Sequence, residues 1–233
     1  MKLYEMPFTA YYHQFVLIEA DDLTEECAEK VNVTEDDCYA LCSSYCAEDG
    51  LLMFNVLSIG TKENYGKGLD LPEMLAYYPM DLVAEKEALI VEADFSMIEK
   101  NHPFMQRMDA MTDEDVQMTR WDERLDMLRD LYYPDSVLTG IVADQILMEY
   151  DMVITGTEGP FLKGSLAEEP EEDLGLHIGD RILALPYVSG DEVRLFALFA
   201  GDHLTREEEA ARQQIIDKMT SLGFDFYGYS LKN

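Results

Sequence analysis

Basic residues are scarce. The chain has 17 Lys and Arg against 48 Asp and Glu, a formal net charge of −31 at pH 7 over 233 residues. Phosphate contacts need clustered Lys and Arg, so direct nucleic-acid binding is not expected, nor is binding to an anionic membrane surface. No apolar run approaches the roughly 18 residues that span a bilayer. The opening Met1-Lys2-Leu3-Tyr4-Glu5-Met6-Pro7 leads into no apolar core or cleavage site, which predicts no secretory signal. Four cysteines are too few for a disulfide scaffold at this length, and their clustering predicts reduced thiols in the cytoplasm.

Catalytic signatures are equally sparse. G-x-G-x-x-G, the Gly-Lys-Ser/Thr phosphate loop, the G-x-S-x-G elbow and His-x-x-x-His do not occur. The nearest glycine-rich stretch, 60–68, lacks the lysine-hydroxyl ending, and Gly156-Thr157-Glu158-Gly159-Pro160 carries an acid where a phosphate would sit. His13, His102, His177 and His203 are far apart and form no sequence motif; His203 beside Asp202 is the one placed at a strand-to-helix turn. An ordinary nucleotide-binding enzyme is disfavoured, and the balance leans away from an enzyme.

What is present is a core. Apolar residues make up 48% of the chain, with 10 Phe and 14 Tyr, too many for a disordered acidic tail. The last 55 residues have the clearest periodicity and the most nearly balanced charge, 6 basic against 9 acidic. Alternating runs at 181–188 and 192–200 flank Ser189-Gly190-Asp191. A helix capped by Thr205 with Glu208 follows, and then an aromatic run over 224–231. This predicts a β-β-α-β unit over 179–233.

Upstream, Phe15-Val16-Leu17-Ile18, 51–59 and 88–94 read as buried strands. Thr34 followed by three acids predicts a helix over 35–49, and Pro72 and Pro79 frame one over 71–78. Thr112 caps the best long helix, 113–132. Residues 137–143 and 146–155 form a hairpin, and 156–179 reads as an acidic loop or linker. The expected fold is α+β, with a mixed or mostly antiparallel sheet and helices packed on one face. Residues 1–178 form an acidic region packed with 179–233 as a single domain. Val16-Leu17-Ile18-Glu19-Ala20-Asp21 echoes Leu89-Ile90-Val91-Glu92-Ala93-Asp94, which suggests a β-α-α-β duplication over 10–60 and 88–155.

Three constellations compete for chemistry. Cys38, Cys42 and Cys46 fall on one stripe of the expected 35–49 helix, with Cys27 before it. That spacing suits core packing better than a thiolate metal site, whose ligands come from turns. Glu19 and Asp21 with Glu92 and Asp94 would converge on a divalent cation such as Mg²⁺ if their strands were parallel neighbours. The acids Glu168, Glu169, Glu171, Glu172 and Asp173 form the densest run and would contact a basic protein. The favoured function is a non-catalytic, cytoplasmic acidic binding protein engaging a basic partner, as an inhibitor, immunity-type antidote or nucleic-acid mimic would, with no cofactor. The alternatives are the metal-dependent enzyme and a small-molecule binder with an apolar pocket near Tyr77-Tyr78 and Tyr132-Tyr133.

Overall fold

The computed structural model describes residues 1–143, 146–158, 161–171, 176–189 and 192–200, and then only 210, 213, 214, 217, 221, 225 and 226. It is an α+β structure with two antiparallel-dominated sheets in two compact units. The first unit comprises Met1–Thr112 with Leu131–Pro134, and the second Asp113–Asp130 with Asp135–Asn233. The tetrapeptide 131–134 belongs to the first unit because the Leu52 N–H donates to the Tyr132 carbonyl at 2.7 Å.

The first unit is built on β1 (Phe15–Glu19), β2 (Tyr39–Cys46), β3 (Leu52–Gly60), β4 (Ala76–Pro79) and β5 (Ala88–Val91), in the order β4-β3-β2-β1-β5, all antiparallel. Both faces of this sheet are covered, which corrects the expectation of helices on one face only. Val16, Ile18, Ala40, Cys42, Phe54 and Tyr78 lie under the N-terminal segment with α1 (Phe8–Tyr11) and under α2 (Met80–Val83). Phe15, Leu17, Leu41 and Leu57 lie under α3 (Phe95–Met111), which contributes Met97 and Phe104. A strand buried on both sides loses its polar alternation, which is why Phe15–Ile18 is continuously apolar.

Two expected helices are strands. The segment 35–49 contains β2, and 71–78 runs into β4. Thr34 does not cap a helix: its N–H and hydroxyl both donate to the Asp37 carboxylate, at 2.7 and 2.9 Å, closing a tight turn that leads into β2. Cys42 and Cys46 share one face of β2 because a spacing of four is even and so repeats on a strand as well as on a helix, while Cys38 lies just before the strand. At β4, Pro79 ends an edge strand rather than a helix, a position where a missing N–H costs nothing.

The second unit holds α4 (Glu114–Arg120), β6 (Ser136–Ala143), β7 (Ile146–Glu158), β8 (Phe161–Leu166), β9 (Arg181–Ser189), β10 (Glu192–Ala200) and β11 (Asp225–Phe226). Strands β6 to β10 pair in sequence, each antiparallel to the last, and β10 also meets β6 in parallel at Phe196↔Gly140, so the pairings return to their starting strand. Inward positions recur along β6 to β10, among them Val137, Ile141, Met152, Ile154, Leu162, Ile182, Ala184 and Leu195.

The long helix expected over 113–132 stops at Arg120. Asp113 caps it by accepting from the Asp115 N–H, and Asp122 starts a separate 3-10 turn that buries Leu125 completely. Much of the expected loop 156–179 is strand: β7 runs to Glu158 and β8 follows. The division expected from composition falls between β8 and β9, which pair side by side at Leu162↔Ala184. Strands β9 and β10 stand where the C-terminal alternation places them. Most of the helix expected after them, Thr205 and Glu208 included, lies outside the described residues. The segment 88–155 runs β5, α3, α4, the 3-10 turn and β6, whereas in 10–60 a single 3-10 turn links β1 to β2.

Candidate functional site

The carboxylates expected to hold a divalent cation are on neighbouring strands that run in opposite directions. Phe15 pairs with Val91 and Ile18 with Ala88, so Glu19 and Asp21 leave the sheet at one end and Glu92 and Asp94 at the other. Four residues of strand separate the two ends by about 13 Å. Asp94 is instead the N-cap of α3, accepting from the Met97 N–H at 3.0 Å, and Glu19 accepts from the Tyr39 hydroxyl at 3.3 Å. Among the described residues no group of three or more His, Cys, Asp or Glu is placed to hold a metal ion. Similar hexapeptides cannot encode relative strand direction, which is set by the connections between them.

The cysteines are free thiols, and Cys27, Cys42 and Cys46 are buried. Burial pushes the Cys42 thiol far up, away from the reactive thiolate. Cys27 is likewise raised by burial, partly offset by the adjacent Tyr78 hydroxyl. Of the histidines, His13 approaches Asp109 at 3.4 Å and His177 Nδ1 meets Glu169 at 2.7 Å, while His102 is exposed on α3. These three stand on separate elements, and His203 lies outside the described residues.

The acidic run after β8 divides. Glu168 and Glu171 are exposed, while Glu172 and Asp173 lie outside the described residues. Glu169 is committed to the loop: its carboxylate takes His177 and also the Ile178 N–H at 2.9 Å, and these two contacts hold its carboxyl below the usual range.

A better-formed acidic feature lies in the first unit. A cavity of about 520 Å³ opens between the 3-10 turn Thr24–Glu29 and the turn at Thr34, lined by Asp21, Glu25, Glu35 and Asp37 beside Val33 and Thr34. No cation lines it. Asp37 is 5% exposed and is engaged by Lys67 from outside; among the described residues no cation is within ion-pair distance of Asp21, Glu25 or Glu35. Burial works against the Asp37 anion, but Lys67 and the two Thr34 donors outweigh it and depress its carboxyl. Reading 35–37 as a helix start hides the groove. Glu25 and Glu35 carry no sequence signal that separates them from other surface acids.

Of the two tyrosine doublets, Tyr77 lines a cavity whose walls mix apolar and aromatic side chains with Lys30, Lys100 and Arg107. No helix of the described residues is long and apolar enough to cross a membrane. Neither a scan against protein-family models nor searches of curated proteins and of solved structures find a match to this chain.

Proposed function

We propose that the protein is a non-catalytic, cytoplasmic binding protein that receives a basic segment of a partner protein in the groove between Thr24–Glu29 and Thr34. The observation that carries this reading is a cavity walled by four carboxylates and lined by no cation. A Lys or Arg side chain entering it would meet Asp21, Glu25 and Glu35 at charge-assisted hydrogen-bond range, with Val33 and Ala28 against its aliphatic stem. Free cysteines with buried thiols fit a reducing compartment. The large negative net charge speeds encounter with a basic partner over a Debye length of about 8 Å at physiological salt.

A labelled Lys/Arg-rich decapeptide tests the reading by fluorescence anisotropy at two salt concentrations. Replacing Asp21, Glu25 and Glu35 with Asn, Gln and Gln is expected to weaken binding about tenfold and to flatten its salt dependence. The same number of neutralisations at Glu168, Glu171 and Glu172 should cost far less. Equal losses from the two triple variants would mean that net charge alone attracts the peptide, and would sink the groove as the site.

A further inference from the structure

The first unit carries only 7 Lys and Arg against 22 Asp and Glu, yet three of the seven meet at one cavity. Three others are held by carboxylates: Lys2 by Glu85 at 2.6 Å, Lys67 by Asp37 and Lys86 by Asp22. The cavity, about 320 Å³, is lined by Lys30, Lys100 and Arg107 together with Tyr77, Phe104 and a single carboxylate, Glu73. Lys100, Pro103, Phe104 and Arg107 recur at i, i+3, i+4 and i+7, so the turn of α3 sets them on one stripe. The facing wall is Pro72–Met74 and Tyr77 of β4.

The cations are positioned but not used up. The Lys100 ammonium donates to the Leu57 and Gly68 carbonyls at 2.6 and 2.7 Å, and Lys30 donates to the Met74 carbonyl at 2.5 Å, with Glu73 at 4.0 Å. An ammonium has three donors, so one stays unengaged on Lys100 and two on Lys30. Arg107 stacks over the Phe104 ring, 5.3 Å from its centroid, and makes no ion pair among the described residues. Its five donors form a fork that matches a carboxylate or phosphate edge. Tyr77 is 48% exposed and its ring lies 6.4 Å from that of Phe104.

We propose that this cavity binds a small planar organic anion, a single ring bearing a carboxylate or a phosphate, with Arg107 and Lys30 on the anionic group and Tyr77 and Phe104 against the ring. The volume is at the low end for ligand sites and is too small for a dinucleotide. A chain of net charge −31 holds such an anion because the dispersed carboxylates act through screening solvent, whereas the three cations act within contact distance. The site is separate from the acidic groove and independent of what that groove takes.

Amide shifts of the full chain, followed by NMR, test this with four probes: benzoate, phenyl phosphate, neutral benzamide and inorganic phosphate. Saturable shifts around Tyr77 and along 100–107 are expected with benzoate, phenyl phosphate or both, and which of them binds tighter identifies the anionic group. Benzamide and inorganic phosphate are each expected to bind at least about tenfold more weakly, since each lacks half of the recognition. Arg107→Gln should lose about tenfold in affinity. Glu73→Gln should gain several-fold by removing the one opposing charge, and a gain cannot arise from misfolding. The proposal is overturned if neither aryl anion gives saturable shifts there up to about 10 mM. It is also overturned if benzamide binds as well as benzoate, or if both substitutions leave affinity unchanged.

Discussion

Asp37 shows how a single carboxylate can hold a strand start in place. It accepts two bonds from Thr34 and pairs with Lys67, whose ammonium also reaches the Asn32 carbonyl at 3.1 Å. Its depressed carboxyl means that the folded chain holds this proton less tightly than the unfolded chain does. The stability it provides is therefore fully present above its ordinary value of 3.8 and is lost as pH falls through the lower folded value. Asp37→Asn is expected to cost about 1–3 kcal/mol at pH 7, with the gap to the unaltered protein closing below about pH 4. Urea unfolding at both pH values checks this; a gap that is constant with pH would place the loss in packing rather than charge. A second buried pair, Arg120 with Asp135, is bidentate at 2.9 and 2.6 Å and ties α4 to the start of β6. The spacing of those two residues, 15 apart, gives no hint that they meet.

At the scale of elements, glycine and proline mislead where the surroundings override their usual meaning. Pro103 lies inside α3, where it removes one intrahelical bond, yet the helix continues to Met111 because Met97, Asn101 and Met105 pack on the first sheet. Gly164 lies inside β8, not in a loop. A Cβ there would stand 2.5 Å from both the Met152 Cγ and the Val153 carbonyl, so only hydrogen fits where Gly164 of β8 pairs with Ile154 of β7. Gly66 has nothing within 4 Å of an added Cβ. Gly164→Ala is expected to destabilise by about 2–3 kcal/mol, whereas Gly66→Ala should fall within about 0.5 kcal/mol of neutral or be slightly stabilising. Chemical denaturation of the two variants tests the contrast, and equal effects would refute the close approach of β7 and β8.

Across the whole molecule, charge dominates everywhere outside the cores. Ion pairs such as Lys86 with Asp22 and Arg181 with Glu158 engage several cations internally, leaving most carboxylates to repel one another. Repulsion among exposed charges is screened by salt, whereas close pairs with buried partners are screened much less. The melting temperature is therefore expected to rise by about 3–8 °C between roughly 10 mM and 500 mM NaCl. A fall, read by differential scanning fluorimetry, would mean that the ion pairs outweigh the repulsion. The same uneven distribution produces two opposite cavities in one unit, the acid-walled groove at Asp21–Asp37 and the cation-lined pocket under α3.

The α+β class, the strand at Phe15–Ile18, the hairpin at 137–155 and the pair β9 and β10 were legible in the sequence, because each rests on local alternation or on an unbroken apolar run. The segment 35–49 does not reveal from its own residues that it is extended, since a spacing of four satisfies both periods. Only the neighbouring strands β1 and β3, which flank that segment in the sheet, made it extended. Composition likewise determined that the protein is acidic, but not where the acid matters. Strand direction separated Glu19 and Asp21 from Glu92 and Asp94. The packing of α3 on the sheet brought Lys30, Lys100 and Arg107 together across 77 residues of chain, because cavities are formed by contacts between elements and local sequence encodes only the elements.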